Sequence, residues 1–439
     1  MSTSAAATES RSSESIPAPT AGTAPAMPAA LSMREVLRIK TMRRLWYAQI
    51  VSNFGDFVAL FAVIGLMTYK MHASAQQVTG VQIAYQVPIA VLGILAGVFV
   101  DRWPLKLTLI ASDVIRGLLC LLLLLSSLPW HFYLILAAIS VVSSFFGPAQ
   151  GIVIREAVPL HGLRSSNALM QQVMFIMRIV GPAVAGMLVG FFGWYACYVL
   201  DAASFFASAS FIASLVIKSS AAVHPHTASE DRGAVAKVWH EMQQGLSFIL
   251  HHAGLLFVIL ALASAMFIMG CFGPLIAVYV RDSIHAGNTI YAWASAMIGV
   301  GILIGINLLN SVGKKLKNTV LVYAGLLGIA VGLVLLAAFT QIWSTLLGDF
   351  VIGFSVAEII IPAQTLMQQE TPRELMGRVG STMMSVIFSA QILGLLLSGM
   401  LAQWTSVRVV FGLCAGMLVV FMLTGKLFME PKPATPAGA

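Results

Sequence analysis

Charge is what this sequence has least of. Only 10% of its 439 residues are Asp, Glu, Lys or Arg, 59% are hydrophobic and the mean hydropathy is +0.90. An ordinary soluble domain is about 25% charged, and a soluble chain of this length could not hide so much apolar surface. The bilayer is therefore its solvent. Cysteine is scarce too: Cys120, Cys197, Cys271 and Cys414 stand singly inside apolar runs, without a Cys-x-x-Cys or any metal-ligand spacing, and read as small packing residues. His-Glu-x-x-His, Gly-x-Ser-x-Gly and Walker sequences are all missing, so neither an intramembrane enzyme nor direct use of ATP has a constellation to rest on. The net charge of +8 comes from Lys and Arg in short loops rather than from a DNA-reading motif, which excludes nucleic acid as the partner. No cofactor or metal is expected.

What is present is length without polarity. Twelve apolar runs of about 20 residues lie at 45–69, 79–101, 106–128, 131–152, 166–192, 195–217, 254–280, 289–311, 317–338, 343–362, 377–401 and 405–428, each able to cross about 30 Å of hydrocarbon as a helix. They are too long for strands and lack alternation of period two. Residues 1–33 are rich in Ser, Ala, Thr and Pro; such a segment cannot offset its ordering entropy by burial and is expected to be a disordered cytoplasmic tail, with no secretory signal in it. Arg34, Arg38, Lys40, Arg43 and Arg44 precede the first run directly.

Twelve spans with the first end inside assign every loop to a side. The inner set holds nineteen basic residues, namely those five with Arg102, Lys106, Arg155, Arg164, Lys218, Arg232, Lys237, Lys314, Lys315, Lys317, Arg373, Arg378, Lys426 and Lys432, against Lys70, Arg281 and Arg408 outside. That asymmetry supports the span count and places both termini in the cytoplasm. The expected fold is an all-α polytopic membrane protein in the cell (inner or plasma) membrane: a tail at 1–33, a six-helix bundle at 34–217, a cytoplasmic linker at 218–253, a second bundle at 254–430 and a tail at 431–439. The linker histidines, His224, His226, His240, His251 and His252, have no ligand spacing and suit a solvated linker with a helix on the membrane surface.

The two halves repeat. Pro148-Ala149-Gln150 recurs as Pro362-Ala363-Gln364, and at the same offset Glu156 recurs as Glu370 and Arg164 as Arg378. Both copies are read as ending an even-numbered span on the cytoplasmic side. Two parallel six-helix halves with a pathway between them follow.

Here a resemblance can be stated. Gly97-x-x-x-Asp101-Arg102-x-Pro104-x-Lys106 is similar to the loop between helices two and three of the major facilitator superfamily, with Pro104 where that pattern usually has Gly. Gly181-Pro182-x-x-x-Gly186, preceded by Arg178 in the fifth span, resembles the element of the drug:proton antiporter branch. Asn53-Phe54-Gly55-Asp56 and Leu200-Asp201-Ala202-Ala203-Ser204-Phe205 resemble the macrolide and siderophore exporter subgroup. The resemblance implies alternating access, protons as coupling ion and a small amphipathic drug-like or siderophore-like substrate. A lysophospholipid or other lipid translocase on the same scaffold is the alternative.

Ionisable groups inside a span are costly and therefore functional or paired. Asp56, Arg116 and Arg178 fall near mid-membrane, Asp113 and Glu358 nearer the cytoplasm, and Asp201 and Asp349 nearer the outer face, where water is expected to reach them. Asp56, Asp201 and Asp349 are the candidate proton-coupling acids, with Asp56 first. A permanent pair of Asp56 with Arg116 or Arg178 is the competing reading, as is a local Asp113–Arg116 pair. Asn53, Gln86, Arg116, Arg178 and Gln172 are expected to line a substrate cavity, and a midplane Arg116 to suit an anionic group. Gly97, Asp101, Arg102, Lys106, Glu156, Arg164, Glu370 and Arg378 are expected to form a lock on the cytoplasmic side. The protein is expected to act as a monomer.

Overall fold

The computed structural model describes residues 31–100, 103–215, 243–311, 317–372 and 375–428. Twelve long helices occur among them. In the first half they are α1 (Lys40–Gly65, continued by a π-turn at Leu66–Lys70), α2 (Ala75–Val100), α3 (Leu105–Leu122), α4 (Pro129–Ala157), α5 (Leu163–Phe192) and α6 (Trp194–Ala213). The second half holds α7 (Ala253–Asp282), α8 (Asn288–Ser311), α9 (Asn318–Ala338), α10 (Ile342–Glu370), α11 (Met376–Trp404) and α12 (Val407–Phe428). Eleven of these are long and apolar enough to cross a membrane; the other, α2, has 26 residues and no charged one.

The helices are longer than the apolar runs at several ends. Pro148 and Pro362 do not end their spans but lie inside α4 and α10, which continue to Ala157 and Glu370. A membrane helix tolerates an interior Pro because neighbouring helices and local adjustment satisfy the freed backbone group. Of the tails expected at 1–33 and 431–439 and the linker expected at 218–253, residues 1–30, 431–439 and 218–242 lie outside the described residues, as do Asp101 and Arg102 of the expected lock. Ser32 of the expected disordered tail instead caps a short helix, Met33–Arg38. Residues 243–251 are helical and pack on α11, with Gly245 against Thr382 and the Arg378 carbonyl.

Each half is a six-helix bundle: α1 packs on α5 and α6, α2 on α4, and α3 on α4 and α6, while in the second half α7 packs on α11, α10 on α8 and α9, and α9 on α12. The bundles meet along two seams, α5 on α8 and α2 on α11. Glycines set both. A Cβ on Gly186 would strike Ala292 of α8, and one on Gly399 would come within 3.1 Å of Gln76 and Thr79 of α2. Within the bundles Gly181 meets Phe57 of α1 and Gly394 meets Phe267 of α7.

Gly181 and Gly186 thus correspond to Gly394 and Gly399, and the register of this helix pair is one residue shorter than the Pro148–Pro362 offset. The α5 and α11 starts, Leu163 and Met376, obey the shorter register. Arg164 and Arg378 are therefore the second and third residues of their helices rather than strict counterparts.

One end of the seams is closed and the other parted. Phe61 of α1 stacks on Tyr291 of α8 at 4.3 Å between centroids, and Tyr69 Oη donates to Ala277 O of α7 at 3.4 Å. These contacts lie at the far end, opposite the connections that carry most of the basic residues. Residues seven apart on a helix fall nearly on one row. On the row of α5 that meets α8, Gly186 and Ile179 are in contact with Ala292 and Gly299, but Gln172, two turns further toward the basic end, is exposed. The bundles therefore enclose a cleft that opens at the basic end.

Candidate functional site: a buried acidic cluster in the first bundle

Two short sequence elements from separate helices meet here. Gly55 lacks a Cβ, and α6 fills that space: an added Cβ would strike Ser204 Oγ and Asp201 Oδ1. This close crossing of α1 and α6 brings Asp201 beside Asp56. Asp201 is only 2% exposed, and accepts hydrogen bonds from Cys120 Sγ at 3.0 Å and Ser204 Oγ at 3.3 Å. It is enclosed by the bundle rather than reached by water, because the crossing at Gly55 closes over it.

Arg116 anchors the cluster from α3. Its guanidinium pairs with Asp113, one turn earlier, and Nε donates to Ser112 O at 3.3 Å. The rings of Phe146 on α4 and Phe205 on α6 sandwich it, 4.6 and 4.4 Å from the guanidinium carbon, an arrangement that stabilises a desolvated cation. Arg116 is 4% exposed and Asp113 fully buried, with Asp113 Oδ2 lacking a hydrogen-bond partner. The expected local pair is thus present, and Arg116 is too enclosed to touch a substrate. The charges of Arg116 and Asp113 both bear on half-buried Asp56, whose own charge bears on Tyr85, Asp201 and Cys120. Asp113 is ion-paired to Arg116, and Asp56 and Asp201 lie within its electrostatic reach.

The other expected residues are scattered. Asn53 Nδ2 lies 3.3 Å from Met174 Sδ, tying α1 to α5. Gln86 Nε2 donates to Gln82 within α2 at 3.0 Å. Gln172 lies on the α5 row facing α8. Arg178 stands apart from the cluster: it projects between the α5 row that meets α1 (Met174, Gly181) and the row that meets α8 (Ile179, Gly186), where its side chain is exposed to the cleft. Among the described residues it has no acidic partner, and no ion pair joins Asp56 to Arg116 either, so the expected permanent pair of Asp56 is formed with neither residue.

Asp349 lies alone in the second bundle. It is fully buried on α10 with neither carboxyl oxygen hydrogen-bonded, and Tyr279 of α7 is the titratable group within its electrostatic reach. It does not reach water either, since Gly348 brings α10 against Gly332 of α9.

Among the described residues, which leave out Asp101 and Arg102, the expected lock is not assembled. Lys106 Nζ donates to Leu215 O at 2.8 Å, within its own half. Among the described residues no ion pair joins Glu156, Arg164, Glu370 and Arg378; Glu156, Arg164 and Glu370 are exposed at the parted end of the cleft. Gly97 lies in the last turn of α2.

Sequence reading did not assign Cys120, Ser204, Phe146 and Phe205 to this cluster. The signal was spacing: Asp113, Arg116 and Cys120 fall on one face of α3, and Asp201, Ser204 and Ser208 on one face of α6. No group of His, Cys, Asp and Glu that could hold a metal ion occurs among the described residues.

Comparison with known proteins places this architecture. The chain is 26% identical over 403 residues to the uncharacterized transporter YfiS of Bacillus subtilis (strain 168), covering 90% of this chain and 95% of that protein. It is 26% identical over 392 residues to macrolide efflux protein A of Streptococcus pyogenes, covering 86% and 92%. The crystal structure of the nucleoside transporter NupG superposes with a TM-score of 0.64 at 15% identity, over 89% of this chain and 100% of that one. The profile of the Major Facilitator Superfamily matches residues 45–386 and again 258–439. With twelve long helices in two repeated bundles around a cleft, the chain belongs to the Major Facilitator Superfamily of membrane transporters and is not an enzyme.

Proposed function

We propose that this transporter exports an amphipathic drug-like or siderophore-like small molecule in exchange for protons, from the cell membrane, with its basic end in the cytoplasm. The observation that carries the coupling is the cluster of Asp56, Asp113 and Asp201 around the single cation Arg116. Holding all three carboxylates ionised would leave two uncompensated negative charges in a low dielectric, so the cluster is built to take up and release protons. Asp56 is the half-buried member and the exchange point with the cleft; Asp201 and Asp113 hold the charge environment around it. Similarity to a macrolide efflux protein supports the direction and the class of cargo. The basic loops support the orientation, which makes the present form open to the cytoplasm.

Alternating access requires two states of comparable free energy. The far-end contacts hold this one, and Asp101, Arg102, Glu156, Arg164, Glu370 and Arg378 are proposed to hold the other when the basic end closes. Uptake into inverted vesicles under an imposed pH gradient, with dyes, macrolides, siderophores and lysolipids as cargo, tests the reading. Gradient-dependent accumulation of a drug-like or siderophore-like cargo is expected. Accumulation that persists after the gradient is dissipated overturns proton coupling, and movement of lysolipids alone makes the protein a lipid translocase.

A further inference from the structure

We propose that Arg178 and Gln391 form a donor pair at the apex of the cleft that binds an anionic group, a carboxylate or phosphate, on an amphipathic substrate. The inference rests on the transport reading above and specifies its cargo. The glycine register identifies the pair: Gly181 and Gly186 of α5 correspond to Gly394 and Gly399 of α11, so Arg178, three residues before the first glycine, corresponds to Gln391. Each lies beside its helix's contact row to its own bundle, Gln391 with its backbone carbonyl against Gly270 of α7, and before its contact row to the other. On α11 those rows are Gly394 against Phe267 and Gly399 against Gln76 and Thr79. The two residues thus hold equivalent positions in opposite bundles, with Arg178 exposed and Gln391 half-buried.

Neither side chain is used by the fold. Arg178 is exposed on the sector of α5 between the row that meets α1 and the row that meets α8. Among the described residues Arg178 pairs with no acid, and the Gln391 side chain makes no hydrogen bond. An unneutralised guanidinium at this depth is expensive, and Arg presents a planar fork of donors that fits carboxylate or phosphate. The acids of the first bundle do not compensate it, because Asp113 and Asp56 are arranged about Arg116. Below the pair the α11 wall is apolar: Phe388 is 55% exposed and Met384 45% exposed on the same sector. A substrate that sets its negative charge on Arg178 and lays its apolar body on Phe388 and Met384 satisfies both surfaces.

The test uses the full-length protein in everted vesicles and three fluorescent amphiphiles with one apolar body, bearing a carboxylate, a neutral amide or a trimethylammonium group. Lysophosphatidylglycerol competes in a fourth arm. The parent protein is expected to move the carboxylate in preference to the amide, and R178Q to reduce that ratio by roughly tenfold to a hundredfold, the worth of a charge-assisted hydrogen bond. R178K should keep part of the preference, and Q391L should lower it less than R178Q. The ratio is read within one preparation, so it does not depend on how much of a variant folds. Competition by lysophosphatidylglycerol assigns the anionic group to a lipid phosphate, and its absence to a soluble organic acid. A parent that prefers the cationic or neutral probe, or an R178Q variant with an unchanged ratio, overturns the proposal and leaves the transporter standing. If the parent moves no probe under any gradient, the transport reading beneath it fails.

Discussion

Arg281 crosses the bundle boundary to Thr68, donating from Nη1 to the Thr68 carbonyl at 2.9 Å and to the neighbouring Ala73 carbonyl at 2.8 Å. Its other nitrogens are held by Asp282, at 2.5 Å from Nε and 2.9 Å from Nη2, which fixes the direction of the fork. The π-turn at Leu66–Lys70 ends α1 beside these acceptors, and carbonyls at a helix C-terminus attract a cation. Arg281 therefore caps a helix of the first bundle from the second, and the cap must be released before the far end opens.

Arg281→Ala is expected to move the population toward the far-end-open state by roughly tenfold or more, as a charged hydrogen bond contributes about 1.5–3 kcal/mol. Spin labels at Gln76 of α2 and Thr289 of α8, exposed residues of opposite bundles at the far end, should report a longer distance in the variant. An unchanged distance distribution would make Arg281 decoration rather than a latch.

Asp56→Asn should abolish proton-driven transport while leaving the protein folded in the membrane, because the amide fills the same space but cannot exchange a proton. Asp113→Asn is a different lesion. It leaves Arg116 buried between Phe146 and Phe205 without its partner, and breaking a buried pair from one side costs about 3–5 kcal/mol. Thermal melting in detergent should therefore fall for Asp113→Asn and hold for Asp56→Asn, with transport measured at several imposed gradients. A folded Asp56→Asn protein with undiminished gradient-dependent transport removes Asp56 from the mechanism.

The far-end closure at Gly186 offers a cleaner separation of folding from function. A Cβ there would strike Ala292 across the bundle boundary, not within a bundle. Gly186→Ala should thus leave each bundle intact and disfavour the present state by about 1–3 kcal/mol, the cost of overpacking. Ala292→Gly in the same chain should restore it, since the two positions share one contact. Gly55→Ala is the control within a bundle: its clash is with Ser204 and Asp201, and its melting temperature should drop. If Ala292→Gly fails to restore the label distance of Gly186→Ala, the two sites are not coupled through that contact.

How much of this was legible in the sequence follows from what each signal depends on. Hydrophobic runs report the solvent, so all twelve helices could be read from composition and length, and the glycine spacing in α5 could be read as a close approach. Pairing across helices depends on rotation about each helix axis, which a run that is apolar on every side does not encode. Asp201 could therefore be placed by depth but not shown to face Gly55, and Arg116 was as plausible a substrate ligand as Arg178 until Phe146 and Phe205 closed over it. The ends placed at 152 and 362, where the apolar runs stop, fall short of Ala157 and Glu370 because a helix can continue past its apolar run and past an interior proline when neighbouring helices satisfy its backbone. The repeat was visible, but identical residues pointed to a register one position away from the one that packing adopts in α5 and α11.

Asp349 provides the last test, because it is a fully buried acid of the second bundle that no neighbour among the described residues explains. It is fully buried, its two oxygens have no hydrogen-bond partner, and the cationic residue in that region, Arg408, donates instead to the carbonyls of Ala337 and Ala338 at 2.8 and 3.2 Å. An unpaired carboxylate is costly to bury, so a purely structural role would be filled better by an apolar side chain. We expect Asp349 to act as a second proton-binding group, separate from the Asp56 cluster, whose exchange requires the far end to open. Asp349→Asn should then transport but with fewer protons per cycle, seen as a shift in the potential that balances a fixed pH gradient in proteoliposomes. A variant whose balancing potential equals that of the parent, with transport intact, shows that coupling runs through the first bundle alone.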